Sequence, residues 1–464
     1  MDLQLWESLK DAIAVYTALS PATFITVVAL GLTASFFIFE LFGSYNNHRR
    51  SVEVTQEDHM HYKISDMANE VPQELIAEIL QLLPAKTLLR FRCICKSLHD
   101  TIDSPNFIKL HLTTTSENRT HSKIVFRHFG WVNSINPVPI HVLDMDEPFP
   151  PELRKGNPPE PESDEYDEFA HTVFAHCNGL VLLKEDDFSL IVWNPTNRKS
   201  RKLPVLPYKE DNLIPCIVGW GFGYVDSIDD YKVLVIRETQ VVVHQWDDID
   251  YNYEIWILGL KSCYWRRIEL PDDDLYWLTD NFRNCFVDGA FHFLCDDGEV
   301  IIFAFDLIKE TFSKVSLSDL AFVNRDFEDY DADHNLEVVD GCLCVSLFRS
   351  NEYWELYARK RKNDEGEFCW TKLCSIRFEQ LSCIQSTLNF PILMGGVILG
   401  FSKNGDKIYI LYEQYAVYLY DFKEKNIQRI VAGDKRKQKV FSCIESLVWL
   451  KKKKKRKKKK AILA

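Results

Sequence analysis

The chain has 464 residues, of which 46% are hydrophobic and 13% aromatic. That is enough apolar sequence for one large domain or two to three ordinary ones, which excludes an intrinsically disordered protein. The formal net charge is −13, and leaving out the ten positive charges of residues 451–460 takes the remainder to −23. A body this acidic is not expected to bind nucleic acid.

The thirteen cysteines show no spacing typical of a zinc site or of a disulfide framework. The close pairs Cys93/Cys95 and Cys342/Cys344 are separated by one residue. We therefore expect reduced, mostly buried thiols in the cytosol, and no metal or other cofactor.

An apolar segment near the amino terminus predicts a membrane anchor over residues 1–45. Residues 12–39 carry no charge, and residues 22–42, "ATFITVVALGLTASFFIFELF", are long enough to span a hydrocarbon core of about 30 Å. His48, Arg49 and Arg50 follow, so the positive-inside bias places the rest of the chain in the cytosol. The sequence thus predicts a single-pass membrane protein; the alternative is a buried core helix.

The same segment, from "LQLWESLKDAIAVYTALSPATFITVVALGL", resembles the anchor of plant membrane steroid-binding proteins. This resemblance implies an anchor but no steroid or haem site, because nothing after Arg50 resembles the domain that follows in that family. Met67 begins a self-sufficient sequence, so a mis-joined gene model is the alternative, with the protein then in the cytosol or nucleus.

A short helical block follows a polar linker at residues 46–66. Apolar residues recur at helical spacing from Leu75 to Leu83, Pro84 ends that helix, and a second helix presents Leu88, Leu89 and Phe91. About 45 residues are too few to be stable alone. The apolar surface is therefore expected to pack on the domain that follows or on another protein.

This block, residues 67–112, resembles an F-box of the plant type through "VPQELIAEILQLLPAKTLLRFRCICKSL" and "SPNFIKLHL". It departs from the usual pattern at Leu98, where plant members carry Trp. The resemblance implies docking to a Skp-type adaptor and, through it, to a cullin. The residues it assigns to adaptor contact, some of which must instead be core, are Pro72, Leu75, Ile76, Ile79, Leu80, Leu83, Pro84, Leu88, Leu89 and Phe91.

The rest of the chain, residues 120–450, predicts a β domain built from repeated hairpins. An apolar-aromatic strand, a polar turn and a second strand recur in residues 190–204, 254–271, 300–317, 354–373 and 416–430, starting about 45 to 65 residues apart. This period is typical of kelch-type propeller blades. A proline-rich acidic stretch at residues 145–168 is interpreted as a mobile loop.

The β region also resembles the kelch-like F-box-associated domain, through "CNGLVLL", "VWNPTNRKSRKLP" and "YDFKEKNIQRI". The predicted fold is therefore mainly β: a kelch-like β-propeller preceded by a helical F-box and one transmembrane helix. The resemblance implies a non-catalytic substrate-recognition subunit of a cullin-RING ubiquitin ligase, whose β domain holds an unknown target protein.

Two other classes stay open on the sequence. One is a membrane-anchored scaffold or ligand-binding propeller without a ligase role; the other is a propeller oxidase, for which we find no set of Tyr and His metal ligands. Common catalytic signatures such as GxSxG, HExxH and the Walker loop are absent from the sequence. The lysine-rich segment 451–464 is read as a disordered tail for nuclear import, as an attachment to an anionic membrane, or as an artefact.

Overall fold

The structure is a computed structural model. It describes residues 73–118, 122–128, 140–145, 153–155, 173–184, 189–207, 216–242, 249–269, 284–296, 300–317, 334–349, 353–362, 367–377, 396–412, 416–432 and 438–450. The chain divides into two compact units, Met1–Leu83 and Pro84–Ala464. In the first unit the structure describes helix α1 (Gln73–Leu80) and the turn that follows it.

The second unit begins with three short helices, α2 (Ala85–Phe91), α3 (Lys96–Ile102) and α4 (Pro105–Glu117). The "SPNF" motif starts α4, because the Ser104 hydroxyl accepts a hydrogen bond from the Phe107 N–H at 3.2 Å and Pro105 occupies the first turn. Leu98, in the position usually held by Trp, is buried. The leucine therefore keeps this site apolar.

The strands of the second unit form six four-stranded antiparallel sheets. Their bounds are β1 (Ser122–His128), β2 (Ile140–Asp144), β3 (Leu153–Lys155), β4 (Val173–Cys177), β5 (Leu180–Lys184), β6 (Leu190–Asn194), β7 (Lys199–Lys202), β8 (Cys216–Val225), β9 (Asp230–Val242), β10 (Ile249–Gly259), β11 (Trp265–Ile268), β12 (Asn284–Val287), β13 (Ala290–Asp296), β14 (Val300–Asp306), β15 (Thr311–Val315), β16 (His334–Val339), β17 (Cys342–Arg349), β18 (Tyr353–Arg361), β19 (Phe368–Arg377), β20 (Val397–Phe401), β21 (Lys407–Tyr412), β22 (Ala416–Asp421), β23 (Asn426–Ala432) and β24 (Gln438–Ile444).

These sheets are the blades of a closed propeller. Blade 1 has the order β24-β1-β2-β3, and blades 2 to 6 follow as β4–β7, β8–β11, β12–β15, β16–β19 and β20–β23. The first strand of each blade contacts the first strand of the next, from β4 round to β24 and back to β4. Since β24 pairs with β1, with Ile444 opposite Ser122, the last strand closes the ring. The predicted mainly β fold and its propeller are confirmed.

The core lies between neighbouring blades, so most sheets bury both faces. One cluster joins blade 2 to blade 3 through Leu182 and Val233, and another joins blade 5 to blade 6 through Trp354 and Ile408. All five residues of β6, "LIVWN", are buried. This explains why the strand is an apolar run rather than an alternating pattern.

The five predicted hairpins are the third and fourth strands of blades 2 to 6. The turns of blades 2, 4 and 6 share one construction. A carboxylate or amide at the end of the third strand accepts from the backbone two residues on, as Asp306 does from Ile308 at 2.7 Å. The turn then ends on a residue with positive φ, such as Glu310. The sixth hairpin was missed, because its strand β3 lies inside the stretch 145–168 that we interpreted as a loop.

The predicted membrane localisation is wrong. Helices in the described part of the chain have 7 to 13 residues, and none of them is long and apolar enough to cross a membrane. A span needs about 20 apolar residues. The segment 22–42, on which the prediction rested, lies outside the described residues, as do the resemblance at residues 3–32 and the lysine-rich tail.

Candidate functional site

The residues predicted to contact an adaptor differ in burial. Four are buried, namely Leu80, Leu83, Leu88 and Phe91. Four more are half-buried, namely Ile76, Ile79, Pro84 and Leu89. Leu75 lies in α1, but its side chain, like all of Pro72, is outside the described residues. Each unit therefore contributes both core residues and partly accessible apolar side chains from the predicted set.

Helix α4 meets the propeller at the turns of blade 3. The Lys109 ammonium lies 2.6 Å from a carboxylate oxygen of Asp226, in the turn between β8 and β9. The hydrogen bond and the charge of Asp226 raise the pKa of Lys109. In the same turn, Asp229 accepts from Lys261 at 2.8 Å and from the Tyr224 hydroxyl at 2.7 Å, and both bonds lower the pKa of Asp229.

A second junction is made by the segment after β24, residues 445–450, which we call the closing segment. Glu445 is 4% exposed, and one oxygen of its carboxylate lies 3.4 Å from Lys123 of β1 and 3.6 Å from Lys86 of α2. Its other carboxylate oxygen has no hydrogen-bond partner among the described residues. One buried carboxylate thus contacts both β1, the strand that pairs with β24, and the first helix of this unit.

Two sequence motifs of blade 2 hold the closing segment in place. In "WNPTN", the Asn194 side-chain amide donates to the carbonyl oxygens of Ser446, at 3.0 Å, and Val448, at 2.8 Å. In "CNGL", Gly179 has φ +74°, and a Cβ there would lie 2.3 Å from the Cβ of Ser446. A side chain at position 179 would therefore displace the segment.

A cavity of about 890 Å³ lies between α4, the turns of blades 2 and 3, and the closing segment. Its lining mixes charged, aromatic and apolar groups, including Lys109, Thr113, Asn178, Arg201, Tyr231 and Trp449. Across the described residues, no group of three or more His, Cys, Asp or Glu side chains is arranged to hold a metal ion. The cavity thus has the size and polarity of a small-molecule site without an evident metal.

The two ends of the propeller carry different connections. The turns between first and second strands, and between third and fourth strands, lie at the end where α4 sits. Three of them are Asn-Gly or Asp-Gly turns with positive φ at both residues, at Asn178-Gly179, Asp288-Gly289 and Asp340-Gly341. Because the sheets are antiparallel, all other connections are at the opposite end, and each includes residues outside the described set.

A six-bladed propeller that follows short helices of this kind defines a class of protein, and comparison with known proteins gives the family. The F-box associated beta propeller domain matches residues 142–450, and the F-box domain matches residues 69–110. The chain therefore belongs to the family of F-box proteins with an associated beta propeller domain.

Relatives from Arabidopsis thaliana agree with this assignment. The chain is 26% identical to F-box protein CPR1 over 325 residues, which is 66% of this chain and 73% of that protein. It is 24% identical to F-box protein At4g22390 over the same shares of the two chains. It is also 32% identical to F-box/kelch-repeat protein At3g23880 over 187 residues, 37% of this chain and 46% of that protein.

Sequence reasoning missed the junction between helices and propeller. It placed "CNGL" and "WNPTN" only as marks of a family, whereas in the structure they hold the closing segment. Nothing in the sequence pairs Glu445 with Lys86, because the two are 359 positions apart. The Asn-Gly turn was a usable signal, since such dipeptides between apolar runs predict hairpins.

Proposed function

We propose that this protein is a substrate-recognition subunit of a cullin-RING ubiquitin ligase. Its F-box binds a Skp-type adaptor, its propeller holds the target protein, and the chain itself performs no catalysis. The observation that carries the proposal is the match to both domains, in one chain and in this order. The expected organisation is a linker at residues 46–66, an F-box at 67–112, a propeller at 120–450 and a tail at 451–464.

On the adaptor side, burial divides the predicted set into two roles. The half-buried side chains Ile76, Ile79, Pro84 and Leu89 are the ones we assign to direct contact, because burying them against a partner gains apolar area. The fully buried Leu80, Leu83, Leu88 and Phe91 support these contacts from the core. Pro72 and Leu75 remain predicted contacts on the sequence alone.

On the target side, the topology favours the propeller end opposite α4. The tight turns at the α4 end leave few residues to vary, whereas most connections from one blade to the next, at the other end, are longer, up to the 19 residues between β19 and β20. Longer loops on a rigid scaffold commonly carry recognition. We therefore propose that the target binds there, away from the helices.

The test is direct binding of the full chain to a purified Skp-type adaptor. Ile76→Asp and Leu89→Asp each place a charge where an apolar contact is proposed, so we expect affinity to fall by at least about tenfold. Ile308→Asp is the matched control, because Ile308 is 57% exposed in a propeller turn. Circular dichroism of each variant checks that the fold is kept. Unchanged adaptor binding by both F-box variants would remove this assignment.

The cavity beside α4 favours a second candidate, a ligand-binding propeller protein without a ligase role. A full chain that is monomeric and stable and that binds no Skp-type adaptor would support this candidate against the first.

A further inference from the structure

Blade 5 differs from the other blades in its outer pair of strands, β18 and β19. Its outermost strand, β19, has ten residues, against three to seven for the outer strands of the other blades. Within the described residues nothing pairs with its outward edge. At about 3.3 Å per residue, this edge offers roughly 33 Å of backbone donors and acceptors.

One face of this pair carries alternating aromatic and basic side chains. Five cross-strand pairs lie along it, from one end of the blade to the other, and we call them the blade 5 ladder: Tyr353/Arg377, Glu355/Ser375, Tyr357/Lys372, Arg359/Trp370 and Arg361/Phe368. The strand register, including a bulge at Tyr357, brings the five pairs to the same face.

The cations of the ladder lie over aromatic rings. The Arg359 guanidinium is 3.9 Å from the centre of the Phe368 ring, and the Arg361 guanidinium is 5.9 Å from the same ring. Lys372 lies 5.5 Å from the ring of Tyr357. The rings hold these side chains in place without neutralising their charge.

Blade 3 provides the contrast. In its outer strand, Arg266 is paired with Glu310 and Arg267 with Glu254. In blade 5, Lys372 is paired with Glu355. By contrast, no carboxylate of the described residues lies within salt-bridge distance of Arg359 or Arg361, although Asp288 acts on Arg359 at longer range. Blade 5 therefore presents positive charge that its own described side chains leave available.

We propose that the blade 5 ladder is a docking surface for an acidic, extended peptide segment, which pairs with the free edge of β19. Rows of glutamate or aspartate at every second position would face the cations of the ladder, and the backbone of the segment would continue the sheet. The acidic body of the chain, with its formal charge of −23 outside the tail, disfavours a nucleic acid as the occupant. This inference rests on the proposed function: it names the class of target segment and adds a contact along the outer edge of blade 5 to the one proposed at the end opposite α4.

The test measures binding of a fluorescent peptide with glutamate at every second position to the full chain. A peptide with glutamine in place of glutamate is the control ligand. Arg359→Gln together with Arg361→Gln should weaken binding by about tenfold, since two charge contacts are lost. Arg266→Gln with Arg267→Gln, in blade 3, should change it less than twofold. Raising the salt concentration should weaken peptide binding by the parent chain and reduce the difference in affinity between the parent and the blade 5 variant.

Two further measurements keep the result unambiguous. Arg361→Lys keeps the charge and should restore most of the affinity that Arg361→Gln loses, which a mere loss of folding would not do. A photoreactive version of the peptide should cross-link within residues 353–377. Cross-links confined to residues 451–460, or equal affinity of the parent and the blade 5 variant, would overturn the proposal.

Adaptor binding is measured on the same samples. If the parent chain binds the adaptor but does not bind the peptide, the docking surface alone is removed. If the parent chain binds the peptide but not the adaptor, the proposed ligase role is removed and the docking surface is supported.

Discussion

The propeller and the helices α2–α4 bury their apolar residues in different ways. The inner strands of the blades are covered on both faces by neighbouring blades, and the ring is closed by β24. The helices have buried residues such as Leu88 and Ile102, but Leu110 is 45% exposed and Leu89 is half-buried. Two of their contacts with the propeller, Lys109 with Asp226 and Lys86 with Glu445, are ion pairs.

This difference teaches where stability and partner binding reside. Apolar burial between blades should determine whether the propeller folds, because it accounts for most of the described core. The helices have apolar area left for a partner. The closing segment connects the two, so changes there should test whether they are coupled.

The largest effect should come from the core between blades 5 and 6. Trp354 is 2% exposed there, so Trp354→Ala should lower the free energy of unfolding by about 3–5 kcal/mol. Tyr264→Ala, at a side chain 62% exposed, should change it by less than about 0.5 kcal/mol. Denaturant unfolding followed by tryptophan fluorescence and circular dichroism measures both. Similar losses in the two variants would contradict blade packing as the main source of stability.

The next effect should come from Glu445. Glu445→Gln removes the buried negative charge that lies beside the Lys123 ammonium, which is 9% exposed, so unfolding should become easier by about 3 kcal/mol. Lys86→Ala removes a partner that is 49% exposed, and its cost should stay below about 1 kcal/mol. Hydrogen exchange of α2 gives the coupling directly: faster exchange in α2 of Glu445→Gln is expected. If hydrogen exchange became faster in blade 1 alone, the stability of α2 would not be coupled to the closure of the ring.

A smaller effect should distinguish two glycines with the same backbone conformation. Gly179 and Gly289 have φ +74° and +77°, so alanine at either costs about 1 kcal/mol of backbone strain. A Cβ at Gly289 would meet nothing within 4 Å, whereas at Gly179 it would collide with Ser446. Gly179→Ala should therefore lose a further 1–3 kcal/mol or so in thermal or denaturant unfolding. Equal losses would mean that the closing segment is not held against this turn.

The propeller could be predicted from sequence because its signals are local. The hairpins of blades 2, 4 and 6 each combine an apolar strand with a turn that has its own hydrogen bonds, as at Asp306 and Asp421. Blade 1 is assembled differently, since its second to fourth strands come from the start of the domain and its first strand, β24, comes from the end. The number of blades could not be counted from the sequence, because blade 1 combines strands from both ends of the propeller domain.

The adaptor residues were predicted by resemblance and spacing, but their division into core and surface was not. Helical spacing alone puts Ile79 and Leu80 among the apolar positions, and only the structure gives one as half-buried and the other as buried. Contacts such as that of Glu445 with Lys86 depend on how distant segments pack, and no periodic pattern in the sequence predicts them.

The smallest expected effect concerns Glu310 of blade 4, which forms ion pairs with Lys232 and Arg266 of blade 3. Burial alone would raise the pKa of Glu310, but hydrogen bonds from Arg266 and Lys232 outweigh it and lower the pKa below the ordinary 4.5. A lowered folded pKa gives stability that is present above about pH 4.5 and is lost as the pH falls through the folded value. The unfolding midpoint of Glu310→Gln should thus lie slightly below that of the parent at pH 7. Below pH 4.5 the two midpoints should converge, whereas a constant difference would assign the effect of Glu310 to packing instead of charge.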